Sequence, residues 1–157
     1  MAIGKGLRMA KDLRAEIQEF LAVLQAAKNR LEYVTPNDWA LILDKATRRS
    51  FAQGDQLIQL NKQNPTIIFV VKGSASIVSS RGWHIASVCA GEILGEMAFL
   101  EGTTPSATVV ADEAVEVYSV SWATLYELFE SYPHLGSRFY RSIAVILSRR
   151  LRQQISE

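Results

Sequence analysis

The chain has 157 residues, of which 48% are hydrophobic and 21% are charged, a composition typical of one globular domain and unlike a disordered chain. Its longest unbroken apolar runs, such as Ile67 to Val71, have only five residues, far fewer than the roughly 18 of a membrane helix. The N-terminus lacks the apolar segment of a secretory signal. The single cysteine, Cys89, excludes an internal disulfide and a cysteine-based zinc site, and favours the cytoplasm. We expect Cys89 to be a small buried side chain.

The formal net charge of +1 hides a strong segregation of charge along the chain. Residues 1–81 carry 12 basic and 7 acidic side chains, whereas residues 82–137 carry 8 acidic side chains and no Lys or Arg. Residues 138–157 carry five arginines and one glutamate. An anion site in the central segment must therefore take its positive charge from elsewhere in the fold. The plain alternative is an acidic surface that faces a basic helix.

Two helices are predicted at the N-terminal end. Apolar residues recur at spacings of three and four from Leu13 to Leu31, the pattern of an amphipathic helix. A second helix is expected to begin at Thr35, with Pro36 at its first position and Asp38 in its first turn. We therefore expect residues 1–34 to form an N-terminal amphipathic helical extension.

Short apolar or alternating runs follow Ser50, separated by turn residues such as Gly54-Asp55 and Lys72-Gly73. Such runs, rich in Val, Ile, Ser and Thr, predict the short strands of a sandwich or jelly-roll barrel. The predicted strands are residues 56–60, 66–71, 74–79, 83–88, 107–111 and 114–120.

Two further helices are predicted after the strands. Ser121 suits the N-cap of a helix over 122–130, and Pro133 ends that helix because proline disfavours helical geometry in the residue before it. The last helix combines interleaved arginines with an apolar stripe at four-residue spacing, formed by Phe139, Ile143, Leu147, Leu151 and Ile155.

The densest group of unusual residues lies between the strands, from Ala90 to Thr108. Gly95 and Gly102 bracket six residues with helical character. The N-terminal N–H groups of such a short helix point at one spot, which suits an anion or a hydroxyl. By itself, this pattern equally fits a plain connection between two strands.

Four motifs in a fixed order give the chain a resemblance to the cyclic nucleotide-binding domain family. They correspond to the opening strand with its glycine turn, a strand–glycine–strand signature, the phosphate-binding cassette and the strand that leaves it. In chain order they are Ser50 to Ile58, Ile68 to Ala75, Gly91 with Leu94 to Leu100, and Ser106 to Ala111. The resemblance covers residues 35–154 and implies a domain over 35–157 with an α+β, mainly β fold: an eight-stranded jelly-roll or β-roll barrel flanked by N-terminal helices and two C-terminal helices.

The resemblance also implies the residues of a ligand site. In the family the cassette glutamate, here Glu96, holds the ribose 2′-OH of the cyclic nucleotide. Backbone N–H groups, a small residue matching Ser106 and an arginine hold the cyclic phosphate. The positions that would line the site are Gly95, Glu96, Met97, Ala98, Pro105, Ser106 and Ala107.

Pro105 stands where the family has its phosphate-binding arginine, and proline offers neither a charge nor a backbone donor. Losing an Arg–phosphate pair costs about 1.5–3 kcal/mol, or roughly 10- to 150-fold in affinity. We therefore expect cAMP or cGMP to bind weakly or in an altered way. Arg81, Arg138 and Arg141 can replace the missing cation only if the fold brings them to the site.

The resulting hypothesis is a non-enzymatic cyclic nucleotide-binding sensor or regulatory domain. The alternative is a ligand-free degenerate barrel that acts as a dimerisation or protein-interaction module. Because the last helix commonly pairs with its twin in this family, a homodimer through residues 138–156 is one hypothesis, and packing of the stripe on its own barrel is the other. The sequence ends at Glu157 without a helix-turn-helix, which argues against direct DNA binding.

An enzyme is disfavoured, and no catalytic residue, metal or cofactor is expected. The only histidines, His84 and His134, are too few for the metal site of a cupin, the other common jelly-roll class. Ser106 lacks the G-x-S-x-G setting of a hydrolase nucleophile.

Overall fold

The computed structural model describes residues 10–156, so residues 1–9 of the expected N-terminal extension and Glu157 lie outside the described part. Within residues 10–156 the helices are α1 (Ala10–Ala26), α2 (Pro36–Asp44), α3 (Glu96–Glu101), α4 (Trp122–Ser131) and α5 (Pro133–Ser156). The eight strands are β1 (Thr47–Phe51), β2 (Gln56–Ile58), β3 (Thr66–Lys72), β4 (Ser74–Val78), β5 (His84–Cys89), β6 (Ile93–Leu94), β7 (Thr108–Ala111) and β8 (Val115–Ser121). None of the described helices is long and apolar enough to cross a membrane.

The strands form two antiparallel four-stranded sheets, in the orders β1-β8-β3-β6 and β2-β7-β4-β5. Strand β3 is buried on both faces, because Ile67 and Phe69 pack among the helices while Ile68 and Val70 face the second sheet. This double burial explains why β3 is a continuous apolar run rather than an alternating one. The predicted α+β, mainly β architecture, an eight-stranded β-roll flanked by helices, is confirmed.

The structure differs from the sequence predictions at two strands, one helix end and one cysteine. Strands β1 and β6 lie outside the six predicted runs, since β1 has only partly buried or exposed residues and β6 has two residues. Helix α1 ends at Ala26, so the buried residue Leu31 lies in the following loop and not in the helix. The prediction that Cys89 is buried is wrong: Cys89 is exposed on β5, because side chains alternate along a strand and Val88 takes the inward position.

Aromatic side chains fix the helical layer on the first sheet. The ring of Trp39 in α2 lies 4.9 Å from Phe20 of α1 and 5.0 Å from Phe69 of β3, with edge-to-face geometry in both pairs. Phe139 of α5 completes the group, 6.5 Å from Phe69. Such pairs contribute about 0.5–1.5 kcal/mol each beyond the area they bury. The same core therefore holds α5 in place over the barrel.

The apolar stripe predicted for the last helix is buried only in its first half. Phe139 and Ile143 are in the core, Leu147 is partly buried, and Leu151 and Ile155 are 59% and 75% exposed. An α-helix turns by about 100° per residue, so a four-residue spacing advances about 40° at each step and about 160° over the whole stripe. The stripe therefore rotates from the barrel toward solvent.

Candidate functional site

The segment between β6 and β7 forms a short helix held between two glycines with left-handed backbone. Gly95, at φ +85°, precedes α3, and Gly102, at φ +67°, ends it. A Cβ atom on Gly95 would lie 3.0 Å from the carbonyl oxygen of Thr66, so this position requires glycine for both its backbone angle and its close approach to β3. The cassette thus leaves β6 in a sharp turn, and α3 remains in contact with β3 of the first sheet.

The cassette, the adjoining strands and α5 enclose a cavity of about 130 Å³. All seven positions expected from the sequence line it: Gly95, Glu96, Met97, Ala98, Pro105, Ser106 and Ala107. The remaining lining residues were not expected from the sequence; they are Ile58, Ile77, Ile93, Leu94, Glu101, Thr103, Thr104, Val109 and Arg150. The cavity is thus mainly apolar with a few polar groups, as is common for small-molecule sites.

Glu96 is the buried charged group of the cavity, with 6% of its surface exposed. Burial raises the pKa of its carboxyl group because the ionised form loses hydration. The Glu96 backbone N–H and the Arg150 guanidinium oppose that rise, whereas the nearby carboxylate of Glu92 adds to it. Arg150 Nη1 donates to Glu96 Oε1 at 3.2 Å. A carboxylate is therefore held inside the cavity with a cation from the far end of the chain as its partner.

Residues 105–107 form another part of the cavity wall. Pro105 is buried, and its carbonyl oxygen accepts a hydrogen bond from the Asn61 N–H at 2.9 Å. Ser106 is exposed and Ala107 is partly buried. This wall therefore offers the Ser106 hydroxyl and backbone groups, and Pro105 brings no charge to it.

The three arginines considered from the sequence lie elsewhere. Arg138 makes two hydrogen bonds to the Asp38 carboxylate, at 2.7 and 2.8 Å. The Arg141 guanidinium lies 4.0 Å from the centre of the Tyr33 ring, and that of Arg81 lies 5.8 Å from the centre of the Trp83 ring. Among the described residues, Arg150 is the one basic side chain that lines the cavity.

The helical geometry of α5 contains a signal that could have identified Arg150. Arg150 follows Ile146 by four residues and Ile143 by seven, and both isoleucines are fully buried. Residues at these spacings share one face of a helix, so Arg150 extends the face that packs on the barrel. The four-residue spacing instead placed Leu151 on the apolar stripe, although Leu151 is exposed to solvent.

Ring stacking connects the cassette helix to the C-terminal helices. The Phe99 ring of α3 stacks on Tyr126 of α4 at 5.4 Å and on Tyr140 of α5 at 5.9 Å, with interplanar angles of 20° and 11°. It also meets Phe139 edge to face at 6.2 Å. A displacement of α3 would therefore disturb the packing of both C-terminal helices.

The turn that precedes the cassette is joined to the N-terminal helix. The Glu92 carboxylate accepts hydrogen bonds from the Cys89 N–H at 2.8 Å and from the Asn29 side chain at 2.9 Å. Gly91, at φ +90°, lies so close to α1 that a Cβ atom there would approach the Ala27 methyl to 2.4 Å. The base of the cassette is thus fixed against the end of α1 and the loop that follows it.

Known proteins with similar sequences cover most of this chain but exceed it greatly in length. Cyclic GMP-binding protein C of Dictyostelium discoideum is 28% identical over 128 residues, which make up 79% of this chain and 5% of that protein. Glutaminase 2 of Bradyrhizobium diazoefficiens is 30% identical over 112 residues, or 71% of this chain and 18% of that protein. The chain therefore corresponds to a small part of each of these relatives.

Solved structures share the fold. A cyclic nucleotide-binding domain from Methylobacillus flagellatus superposes with a TM-score of 0.76 at 20% identity, covering 88% of this chain and 80% of that one. The catabolite activator protein of Thermus thermophilus gives a TM-score of 0.66 at 25% identity, over 77% and 57% of the two chains. The sequence model described as the cyclic nucleotide-binding domain matches residues 48–132, more than half of the chain. On this match, with the two sheets and the cassette in the expected order, the chain belongs to the cyclic nucleotide-binding domain family.

Proposed function

We propose that the chain is a non-enzymatic sensor or regulatory domain that binds a cyclic nucleotide, cAMP or cGMP, in the cavity beside α3. The observation that carries this proposal is the convergence of seven expected positions on one cavity that holds a buried carboxylate, Glu96. In this pose Glu96 accepts a hydrogen bond from the ribose 2′-OH. The cyclic phosphate lies toward Ser106 and Ala107, and Met97 and Ala98 contact the ligand.

We further propose that binding is weaker than in a domain with a cassette arginine. Pro105 brings no cation to the phosphate side, and the missing charge-assisted bond corresponds to about 1.5–3 kcal/mol. The exposed free thiol of Cys89 fits a protein of the reducing cytoplasm. The name of the Dictyostelium relative, a cyclic GMP-binding protein, supports testing cGMP alongside cAMP.

Titration calorimetry of the purified chain with cAMP and cGMP tests the proposal. We expect one-to-one saturation at high-micromolar ligand. Glu96→Gln should weaken binding of the natural ligand but have a smaller effect on its 2′-deoxy analogue, because only the natural ligand offers the hydroxyl. An absence of heat at millimolar ligand would refute the proposal, and saturation at low-micromolar ligand would refute the weakened phosphate site.

The exposed second half of α5 supports a second candidate function, a homodimer through residues 138–156. Leu151 and Ile155 are large apolar side chains left exposed on one side of this helix, and burying them against a twin helix would remove that surface from water. Leu151→Glu should shift the mass measured by light scattering toward the monomer. Gln153→Glu, about 200° around the helix from Leu151, serves as the control. A monomeric wild type would contradict the dimer, and a dimer that binds no nucleotide would favour a protein-interaction module.

A further inference from the structure

The charges that line the cavity limit which anion it can accept. Three charged residues contribute to its wall within the described chain: Glu96, Glu101 and Arg150. Their formal sum is −1, and without Arg150 it would be −2. A cyclic phosphodiester carries one further negative charge, so an uncompensated pocket would repel it. Among the charged residues that line the cavity in the described chain, Arg150 is therefore the one that can offset the charge of an anionic ligand.

The bond between Arg150 and Glu96 is the longest of the arginine–carboxylate bonds made by α5. Its length is 3.2 Å, against 2.7 Å for Arg138 to Asp38 and 2.8 Å for Arg149 to Glu32. Charge-assisted N–H···O bonds are ordinarily about 2.7–2.9 Å long. The bond uses one of the five N–H donors of the guanidinium. The guanidinium therefore keeps N–H donors for another acceptor.

The two members of the pair also differ in exposure. The Glu96 side chain is 8% exposed, whereas that of Arg150 is 36% exposed. Arg150 is thus at the mouth of the cavity, on a flexible side chain that can turn by rotation about its own bonds. Glu96 stays in the interior. If Arg150 turns away, Glu96 needs another hydrogen-bond donor, because an unpartnered buried carboxylate is costly.

A cyclic nucleotide can satisfy both members of the pair at once. Its ribose hydroxyl donates to Glu96, and two of its phosphate oxygens can accept parallel N–H bonds from one guanidinium. Neither Glu96 nor Arg150 is then left without a partner. A nucleoside without phosphate would satisfy Glu96 but would separate Arg150 from its carboxylate without compensation.

We propose that Arg150 is the phosphate-binding cation of this pocket, and that the ligand binds by exchanging the Glu96–Arg150 ion pair for one contact to each residue. This proposal rests on the function proposed above, and it moves the cation from position 105 of the cassette to α5.

Binding of cAMP, cGMP and adenosine to the wild type, Arg150→Gln and Arg150→Lys tests the proposal. We expect Arg150→Gln to weaken binding of the preferred cyclic nucleotide by about 10- to 150-fold without weakening adenosine, which has the hydroxyls but no phosphate. Arg150→Lys should lose less, because it keeps the charge but not the paired N–H geometry. Arg149→Gln is the matched control, since Arg149 pairs with Glu32 on the surface and should leave all affinities within about twofold.

The outcomes separate this proposal from the one on which it rests. A wild type that binds no cyclic nucleotide overturns both. A wild type that binds, with Arg150→Gln binding equally or more tightly, overturns the role of Arg150 alone and identifies the pair as a gate. Equal weakening of cyclic nucleotide and adenosine would assign Arg150 a structural role and also overturn the proposal.

Discussion

Replacing Pro105 by arginine is the most direct test of how the pocket is built. Pro105 is buried in the cavity wall and has no N–H, so its removal breaks no hydrogen bond of its own nitrogen. Its carbonyl can keep accepting from the Asn61 N–H, and arginine can adopt the backbone angle that proline imposes. The substitution changes the formal charge of the cavity wall from −1 to zero.

The expected gain follows from opposing contributions. Two unit charges 4 Å apart attract by about 4 kcal/mol at an effective dielectric constant of 20, and ordering the arginine side chain costs up to about 2 kcal/mol. The net of about 2 kcal/mol agrees with the 1.5–3 kcal/mol measured for hydrogen bonds to charged groups. Pro105→Arg should therefore tighten cAMP or cGMP binding by about 10- to 150-fold.

Calorimetry on Pro105→Arg and Pro105→Ala separates the added charge from the lost ring. Pro105→Ala should bind within a few-fold of the wild type, and each variant should lose about 0.4–1 kcal/mol of stability through the more flexible unfolded chain. In the Arg150→Gln background, Pro105→Arg should restore much of the lost phosphate affinity. Binding by Pro105→Arg no tighter than by Pro105→Ala would show that residue 105 does not face the phosphate.

Two predictions concern the contacts that hold the helices around the site. Asp38→Asn should lower the free energy of unfolding in urea by about 2 kcal/mol at pH 7, less than for a fully buried ion pair because Arg138 is 38% exposed. The hydrogen bonds from Arg138 lower the pKa of Asp38, so this contribution is present above the ordinary aspartate pKa of about 3.9 and is lost as the pH falls through the lower pKa of the folded state. An equal difference between variant and wild type at pH 7 and pH 2.5 would contradict it. Gly91→Ala should cost about 2–3 kcal/mol, more than Gly82→Ala, which has a similar φ of +82° but an open surrounding. Adding Ala27→Gly to Gly91→Ala should recover part of that lost stability. If Gly91→Ala and Gly82→Ala lose equal stability, α1 and the loop after it can shift to accommodate the added methyl group.

Local patterns in the sequence were sufficient for most of the secondary structure. The N-caps Thr35 and Ser121 begin their helices as predicted, because caps act within one turn. Strand β6 escaped detection because two residues show no periodicity. Helix α1 was predicted too long because Leu31 continues the apolar spacing from a loop.

The candidate site likewise combines positions that the sequence predicted with one, Arg150, that it did not. The seven cassette positions lie within 13 consecutive residues, so an ordered motif was enough to place them around one cavity. Arg150 is 54 residues away from Glu96, and no local pattern relates the two. The segregation of charge indicated that a cation had to come from elsewhere, but three other arginines were equally available in the sequence.

The order and periodicity of neighbouring residues therefore determined a sandwich or jelly-roll barrel flanked by helices, and the resemblance to the family added the β-roll, the cassette and the absence of a cassette arginine. Only the tertiary structure decided which arginine enters the cavity. That choice depends on the rotation of α5, which the packing of Phe139, Ile143 and Ile146 against the barrel sets. With 3.6 residues per turn, this packing carries Arg150 toward Glu96 and turns Leu151 to solvent.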